Sequence, residues 1–352
     1  MSSCLSQGKD LTGGLFYEFC TWSVKDNNPV SITLNTQPES LVAVVVTFNR
    51  LEKLRVVLNS LLAAPSTELT GVVVVDNAST DGTSDWLASQ ADPRLYVQSE
   101  TENLGGAGGF EAGLREARAR FDPDWCVVMD DDARPDQPAL SRFHALDKTG
   151  WDAILAAVVT NDGDICDMNR PARNPLWHGR KLLDEKRLSL HLADSAFAET
   201  APVQHVDGGS FVGLFLSRRA FDLCGLPDRR FVYAEDILYT VGLTRAGGRI
   251  GFAPIVRFIH DSDTFTRSPR DFSQGWKVYY YYRNLLFLYR MTTGWLFWPG
   301  LLLLVPRWCL RSLSLKHGRV QYLKRMFHAV FDGVFQRLPE PPYGPFYRAR
   351  PS

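Results

Sequence analysis

From position 41 to 46 the chain reads Leu-Val-Ala-Val-Val-Val, with no polar residue to face water. A strand with one wet face alternates apolar and polar positions. An unbroken run of this kind belongs to a strand covered on both faces, as in a parallel sheet. The pattern returns at residues 72–75 and 125–129. Apolar residues at helical spacing (Leu54, Val57, Leu58, Leu61, Leu62) fill the first interval, and a short helix holding Trp86 and Leu87 follows the second run. Strand and helix in alternation predict an α/β fold with a mostly parallel, doubly wound sheet and right-handed crossovers. A further strand is expected at 95–97 and a helix over 110–120.

The run at 125–129 ends in Asp130-Asp131-Asp132. Carboxylates leave water only at a large cost unless a cation meets them, and hard divalent cations prefer oxygen ligands. The same acids would also serve in a solvated loop, or as the lead-in to a helix over 138–146. Ligands of open α/β sheets bind outside the carboxyl ends of the strands, where the segments 47–50, 76–81 and 130–132 all fall.

The 352 residues suffice for one large α/β domain and a smaller appendage: an N-terminal β-containing extension (1–38), a catalytic domain (39–290) and a C-terminal helical region (291–352). A formal net charge of zero speaks against a nucleic-acid partner held by bulk charge. The six cysteines form no C-x-x-C pair, so neither a zinc knot nor a disulfide framework is expected, and a reducing cytoplasm fits. No secretory leader opens the chain, and no uncharged run reaches the ~20 residues of a spanning helix.

Residues 103–109 (Asn-Leu-Gly-Gly-Ala-Gly-Gly) bring backbone close to a ligand or a crossing strand. They miss the dinucleotide spacing, since counting G-x-G-x-x-G from Gly106 puts Glu111 in the last glycine's place, and no Walker lysine is present. After a strand at 154–159 comes an irregular excursion to about residue 202. Next come Val-Asp-Gly-Gly-Ser-Phe at 206–211 and Glu235-Asp236 at the start of a helix through 243, where acids also serve as simple caps. A strand over 250–259 leads into His260.

Taken together, residues 42–49, the loop 75–82, Asn103-Leu104-Gly105-Gly106, the Asp triplet, Glu235-Asp236 and His260 resemble a family 2, GT-A fold glycosyltransferase over roughly residues 41–290. The triplet, the run 105–110 and Trp276-Lys277-Val278-Tyr279-Tyr280-Tyr281-Tyr282-Arg283-Asn284 are most similar to galactofuranosyltransferases and their rhamnosyltransferase relatives. The resemblance implies an inverting transfer from a nucleotide sugar, UDP-galactofuranose first and dTDP-rhamnose second, to a glycan or polyprenyl-diphosphate-linked acceptor. A silent glycan-binding subunit of the same fold is the reading of another class.

On the resemblance, Thr47, Asn49, Asp76 and Asp81 frame the nucleoside, and Asn103, Gly105, Gly106, Asp130 and Asp131 join the nucleotide-sugar site. Asp130, Asp132 and His260 hold Mn2+ or Mg2+, with Asp130 and Asp132 sharing a face because they stand two apart in extended chain. Asp236 is the expected base, and Glu235 and Trp276 are expected to meet the acceptor. The Tyr run at 279–282 would offer flat surface to sugars or pack into a core.

The 16 residues 291–306 carry no charge, while 307–331 holds Arg307, Arg311, Lys316, Arg319, Lys324 and Arg325 with no acid. Such a pairing predicts an amphipathic segment lying on an anionic membrane face. The alternative buries residues 301–304 against the catalytic core or a second copy of the chain.

Overall fold

The computed structural model describes residues 39–178, 190–229, 233–261, 276–315 and 318–339. The chain divides into two units, 1–37 and 38–352, and the expected N-terminal extension lies outside the described residues.

The three apolar runs are β1 (Leu41–Thr47), β2 (Gly71–Asp76) and β4 (Trp125–Asp130), and every residue of β1 and β2 is buried. β1 pairs in parallel with both β2 and β4, and β2 with β3 (Leu95–Ser99). The two faces of β1 separate as the pleat requires. Leu41, Ala43 and Val45 share a cluster with Leu54, Val57, Leu58 and Leu61 of α1 (Leu51–Leu62). Val42, Val44 and Val46 share one with Phe110, Leu114 and Ala117 of α3 (Gly105–Phe121). Each fully buried Val or Leu contributes about 1.5–3 kcal/mol, which is why this unbroken pattern dictates a helix on either side. A short α2 (Thr83–Ala88) joins β2 to β3.

α3 begins five residues before the expected start at 110, so the glycines form its first turns. Gly109 and Gly113 lie against Val46 and Val44 with no room for a Cβ. Close packing on the sheet outweighs the ~1 kcal/mol by which each glycine disfavours a helix.

Beyond β4 the sheet becomes mixed. The expected strands appear as β6 (Ala153–Val159) and β9 (Ile250–His260), mutually parallel. Between β4 and β6 lies β8 (Leu214–Ser217), antiparallel to both and absent from the sequence reading, because four residues show no period. β5 (Ala133–Pro135) and β7 (Gln204–Val206) pair antiparallel with β9, and the main order is β3-β2-β1-β4-β8-β6-β9-β5. The β5–β9 pairing sets Ala133 opposite His260 and so carries the histidine to the acid triplet.

α4 (Ala139–Ala145) and α5 (Arg218–Cys224) flank the sheet, and α6 (Glu235–Arg245) starts at the acid pair. α7 (Lys277–Thr293) crosses position 290 and packs with α8 (Phe297–Arg311) and α9 (Arg319–Val334) around Tyr279, Tyr280, Tyr282, Leu286, Trp308, Tyr322 and Met326. Tyr279, Tyr280 and Tyr282 are therefore core residues, not a sugar platform. Of residues 301–304, Leu301 and Leu304 lean on this cluster while Leu302 and Leu303 face outward, so the run is only half buried. No described helix is long and apolar enough to cross a membrane.

Candidate active site

The cleft has a volume of about 360 Å3 and is lined by Gly106, Asp130, Asn169, Ser210, Glu235, Asp236, His260 and Trp276, among others. Asp130 ends β4, in register with Val46 of β1, and His260 ends β9. Ligand atoms of Asp130, Asp132 and His260 lie within 4.8 Å of one another. His260 Nε2 is 3.1 Å from Asp132 Oδ1, and its Nδ1 is 2.8 Å from Asn169 Oδ1, which fixes the ring. Asn169 in turn donates to the Ser210 hydroxyl at 2.8 Å.

Asp131, in the turn that follows β4, points elsewhere. It accepts from the Thr47 hydroxyl at 2.8 Å and from Arg50 at 3.2 Å. The same guanidinium nitrogen reaches Asp132 Oδ2 at 2.7 Å. Arg50 is thus the counter-ion of the triplet, which the sequence reading passed over as a loop residue.

The electrostatics match a cation site. Burial, then the charges of Asp132 and Asp131, push Asp130 up to about 7 against the opposing pull of His260. Burial would lower His260, yet its hydrogen bonds to Asp132 and Cys166 and the acidic charges raise it to about 10. Burial also opposes ionisation of Asp132, but His260 and Arg50 outweigh it and hold the group low. Two carboxylates and one imidazole, with like charges crowding one of the acids, fit a divalent cation, which relieves that crowding and displaces the His260 proton.

A family model described as "Glycosyl transferase family 2" matches residues 42–199. The chain is 29% identical over 290 residues to galactofuranosyltransferase GlfT1 of Mycolicibacterium smegmatis, covering 78% of this chain and 89% of that one. It is 30% identical over 241 residues to GlfT1 of Mycobacterium tuberculosis, covering 64% and 72%. The chain belongs to glycosyltransferase family 2. An undecaprenyl-phosphate mannosyltransferase of Micrococcus luteus is 27% identical over 218 residues, covering 61% of this chain and 82% of its own length.

In this glycosyltransferase the acid pair of α6 lines the same cleft as Asp130 and His260. Tyr233 and Ala234, just before it, both hold left-handed backbone (φ 74° and 56°), a strained turn of the kind that accumulates at active sites. The carbonyl of Tyr233 accepts from Asn284 of α7, so the helical region braces this turn. Burial raises both carboxyls above the ordinary range, and for Glu235 the charge of Asp236 adds to it. Asp236 Oδ1 also accepts from the Ile237 amide at 2.7 Å. Glu235 Oε1 stands where a Cβ on Gly106 would lie, so Gly106 is bare to admit a carboxylate at the start of α3. Trp276 sits over Tyr233 with centroids 6.0 Å apart.

The expected nucleoside residues gather at one sheet edge but outside the cleft lining just described. Asn49 Oδ1 accepts from the Thr80 amide at 2.7 Å, and Asp81 Oδ2 from the Leu51 amide at 3.0 Å, which ties the β1–α1 and β2–α2 loops together. Asp76 Oδ1 accepts from Ser79 N at 3.0 Å, and its other oxygen accepts from the Ser84 hydroxyl. Asn103 Oδ1 receives Gly105 N at 2.8 Å. Asn77, buried and not singled out from sequence, bonds Leu104 N and Gly105 O and fixes where α3 begins.

Proposed function

We propose that the chain is a metal-dependent inverting galactofuranosyltransferase that takes UDP-galactofuranose and extends a surface or lipid-linked glycan at a hydroxyl. The observation that carries this reading is one cleft lined by Asp130 and His260 together with the raised Asp236 and Glu235. Asp130, Asp132 and His260 would hold Mn2+ or Mg2+. Such an ion supplies charge for the departing diphosphate. Thr47, Asn49, Asp76 and Asp81, with Asn103, Gly105 and Gly106, frame the nucleotide.

Asp236 takes the acceptor hydroxyl's proton, and burial that raises its pKa makes it a stronger base once ionised. Glu235 and Trp276 orient the acceptor, the ring offering an apolar face to sugar carbons. The name of the GlfT1 relatives supports galactofuranose as the sugar. Exposed apolar residues of α8 beside Arg307 and Arg311 support attachment to an anionic membrane surface, where a polyprenyl-linked acceptor resides. The test is turnover of UDP-galactofuranose, dTDP-rhamnose and a mannosyl donor by purified protein, with and without Mn2+. Metal-dependent turnover of UDP-galactofuranose alone is expected. Preference for another donor overturns the sugar assignment, and undiminished turnover under chelation overturns the metal.

A further inference from the structure

A second cluster of metal-ligating side chains lies apart from the cleft lining. His178 Nε2 is 2.8 and 3.0 Å from the two oxygens of Asp207, and His205 Nδ1 is 4.0 Å from Asp207 Oδ1. The three ligand atoms lie within 4.8 Å of one another. His205 and Asp207 stand two apart in extended chain at β7, so their side chains share a face, and His178 approaches from the excursion that follows β6. The two imidazole rings are edge to face, 5.5 Å between centroids.

We propose that His178, His205 and Asp207 form a second metal site, for a borderline transition-metal dication of the Zn2+ type, distinct from the oxygen-rich site at Asp130 and Asp132. Two imidazoles and one carboxylate make a common three-ligand set for Zn2+, with the fourth position left to water. The site at Asp130, Asp132 and His260 offers two oxygens and one nitrogen and favours harder ions, so the two sites sort metals by donor type. Asp207 is already oriented as a ligand should be: the Asn174 amide donates to its Oδ2 at 2.6 Å, and its own amide bonds Ala172 O at 2.9 Å. The His205 ring is partly buried beside Asp207, with Nδ1 turned toward that carboxylate. Arg173 and Arg249 also face that ring. Their charge opposes a dication, so weaker affinity than that of a closed structural site is expected.

Occupancy would have a consequence at the cleft. Asp207 opens the segment Asp207-Gly208-Gly209-Ser210, whose Ser210 lines the cleft and bonds Asn169, the partner of His260. Asn174, tied to Asp207, also donates to the Thr292 carbonyl of α7 at 2.8 Å. An ion at this point would pin the excursion, the cleft wall and the helical region together.

The experiment uses the full chain with the first site emptied by Asp132→Ala and His260→Ala, stripped with a chelator, and dialysed against Zn2+, Mn2+ or Mg2+ in turn. Bound metal is counted by mass spectrometry, and the zinc ligands are read by X-ray absorption. The expected result is about one Zn2+ per chain with two imidazole ligands and little Mn2+ or Mg2+. Adding His205→Gln or His178→Gln should weaken Zn2+ binding by more than ~10-fold, with circular dichroism unchanged. Glutamine keeps a donor for Asp207, so a folded variant is obtained even where alanine fails. No Zn2+ in the emptied background, or Zn2+ that survives both glutamine variants, overturns the site, and neither result bears on the donor assignment.

Discussion

One nitrogen of Arg50 lies 2.7 Å from Asp132 Oδ2, on the carboxylate whose other oxygen meets His260. The guanidinium stands in for part of the charge that a metal would supply. Burial works against the Arg50 charge, but Asp131 and Asp132 outweigh it and its pKa is raised. Arg50→Ala should cost the metal-free protein only about 1 kcal/mol, because the side chain is half exposed and water screens the pair. The variant should gain a larger rise in melting temperature on adding Mn2+ than wild type does. Differential scanning fluorimetry with chelator and with Mn2+ measures both, and an equal rise would show that Arg50 does not substitute for the ion.

Removing a ligand should be harsher on activity than on the fold. Asp130→Ala and Asp132→Ala should each abolish Mn2+-dependent transfer; melting should stay largely unchanged for Asp130→Ala, which relieves crowding among acids, and fall modestly for Asp132→Ala, which takes a partner from His260 and Arg50. His260→Ala should retain partial activity, because water can fill a nitrogen position. Near-normal turnover of either Asp variant at low Mn2+ would contradict the ligand set.

For the base, Asp236→Asn should reduce turnover by ~10²- to 10⁴-fold while donor affinity stays level. The pH dependence follows from the raised pKa values of Asp236 and Glu235. A carboxyl raised in the native state keeps its proton where the unfolded chain has already lost it. Its contribution to stability is fully present below the unfolded value, ~4, and is lost as pH rises through the native value. Turnover requires the ionised base and so rises through that same window. Activity and stability should therefore move in opposite directions with pH, and Asp236→Asn should flatten part of both curves. Parallel pH–rate and pH–melting profiles test this; a stability that climbs through the window would refute the assignment.

The glycines of α3 separate positioning from packing. Gly106→Ala meets only the flexible end of Glu235, so stability should change by less than ~1 kcal/mol while the acceptor KM rises. Gly113→Ala meets Val44 and Val75 on the sheet and should cost about 1–3 kcal/mol without altering acceptor affinity in the folded fraction. Urea denaturation and acceptor titrations on both variants decide it, and matching behaviour of the two would defeat the distinction.

The two faces of β1 explain why most of the sheet could be read from sequence, since burial on both sides leaves a continuous apolar run. β5 and β8 left no such trace, at three and four residues. The ligand set Asp130, Asp132 and His260 was legible only through family resemblance, because the pairing that unites it joins positions 128 residues apart. Arg50 was hidden for another reason: its type and place suit any solvated loop, and only the structure shows it spanning two carboxylates. His178 and Asp207 stand 29 residues apart with no spacing rule between them.

The last prediction concerns the face of α8 and α9. Trp298, Leu302 and Leu303 are 54%, 77% and 77% exposed, and Leu310 of α8 and Val320, Phe327 and Phe331 of α9 are exposed as well. Single exposed leucines are ordinary, whereas a contiguous apolar patch marks an interaction surface, and the prediction is that these residues act as one. Arg307, Arg311, Arg319, Lys324 and Arg325 lie on the same two helices, and no acid occurs from position 307 to 331. An apolar face bordered by cations suits the headgroup region of an anionic leaflet, each basic residue near it contributing about 1 kcal/mol. The protein should float with anionic liposomes at low salt and sink as salt is added. Leu302→Glu with Leu303→Glu should abolish flotation without changing the melting temperature, because both side chains already face solvent. Arg307→Glu with Arg311→Glu should weaken flotation in proportion to lipid charge. A protein that stays at the bottom with anionic vesicles refutes attachment, and a dimer in sedimentation equilibrium that Leu302→Glu dissociates would assign the patch to a second copy of the chain.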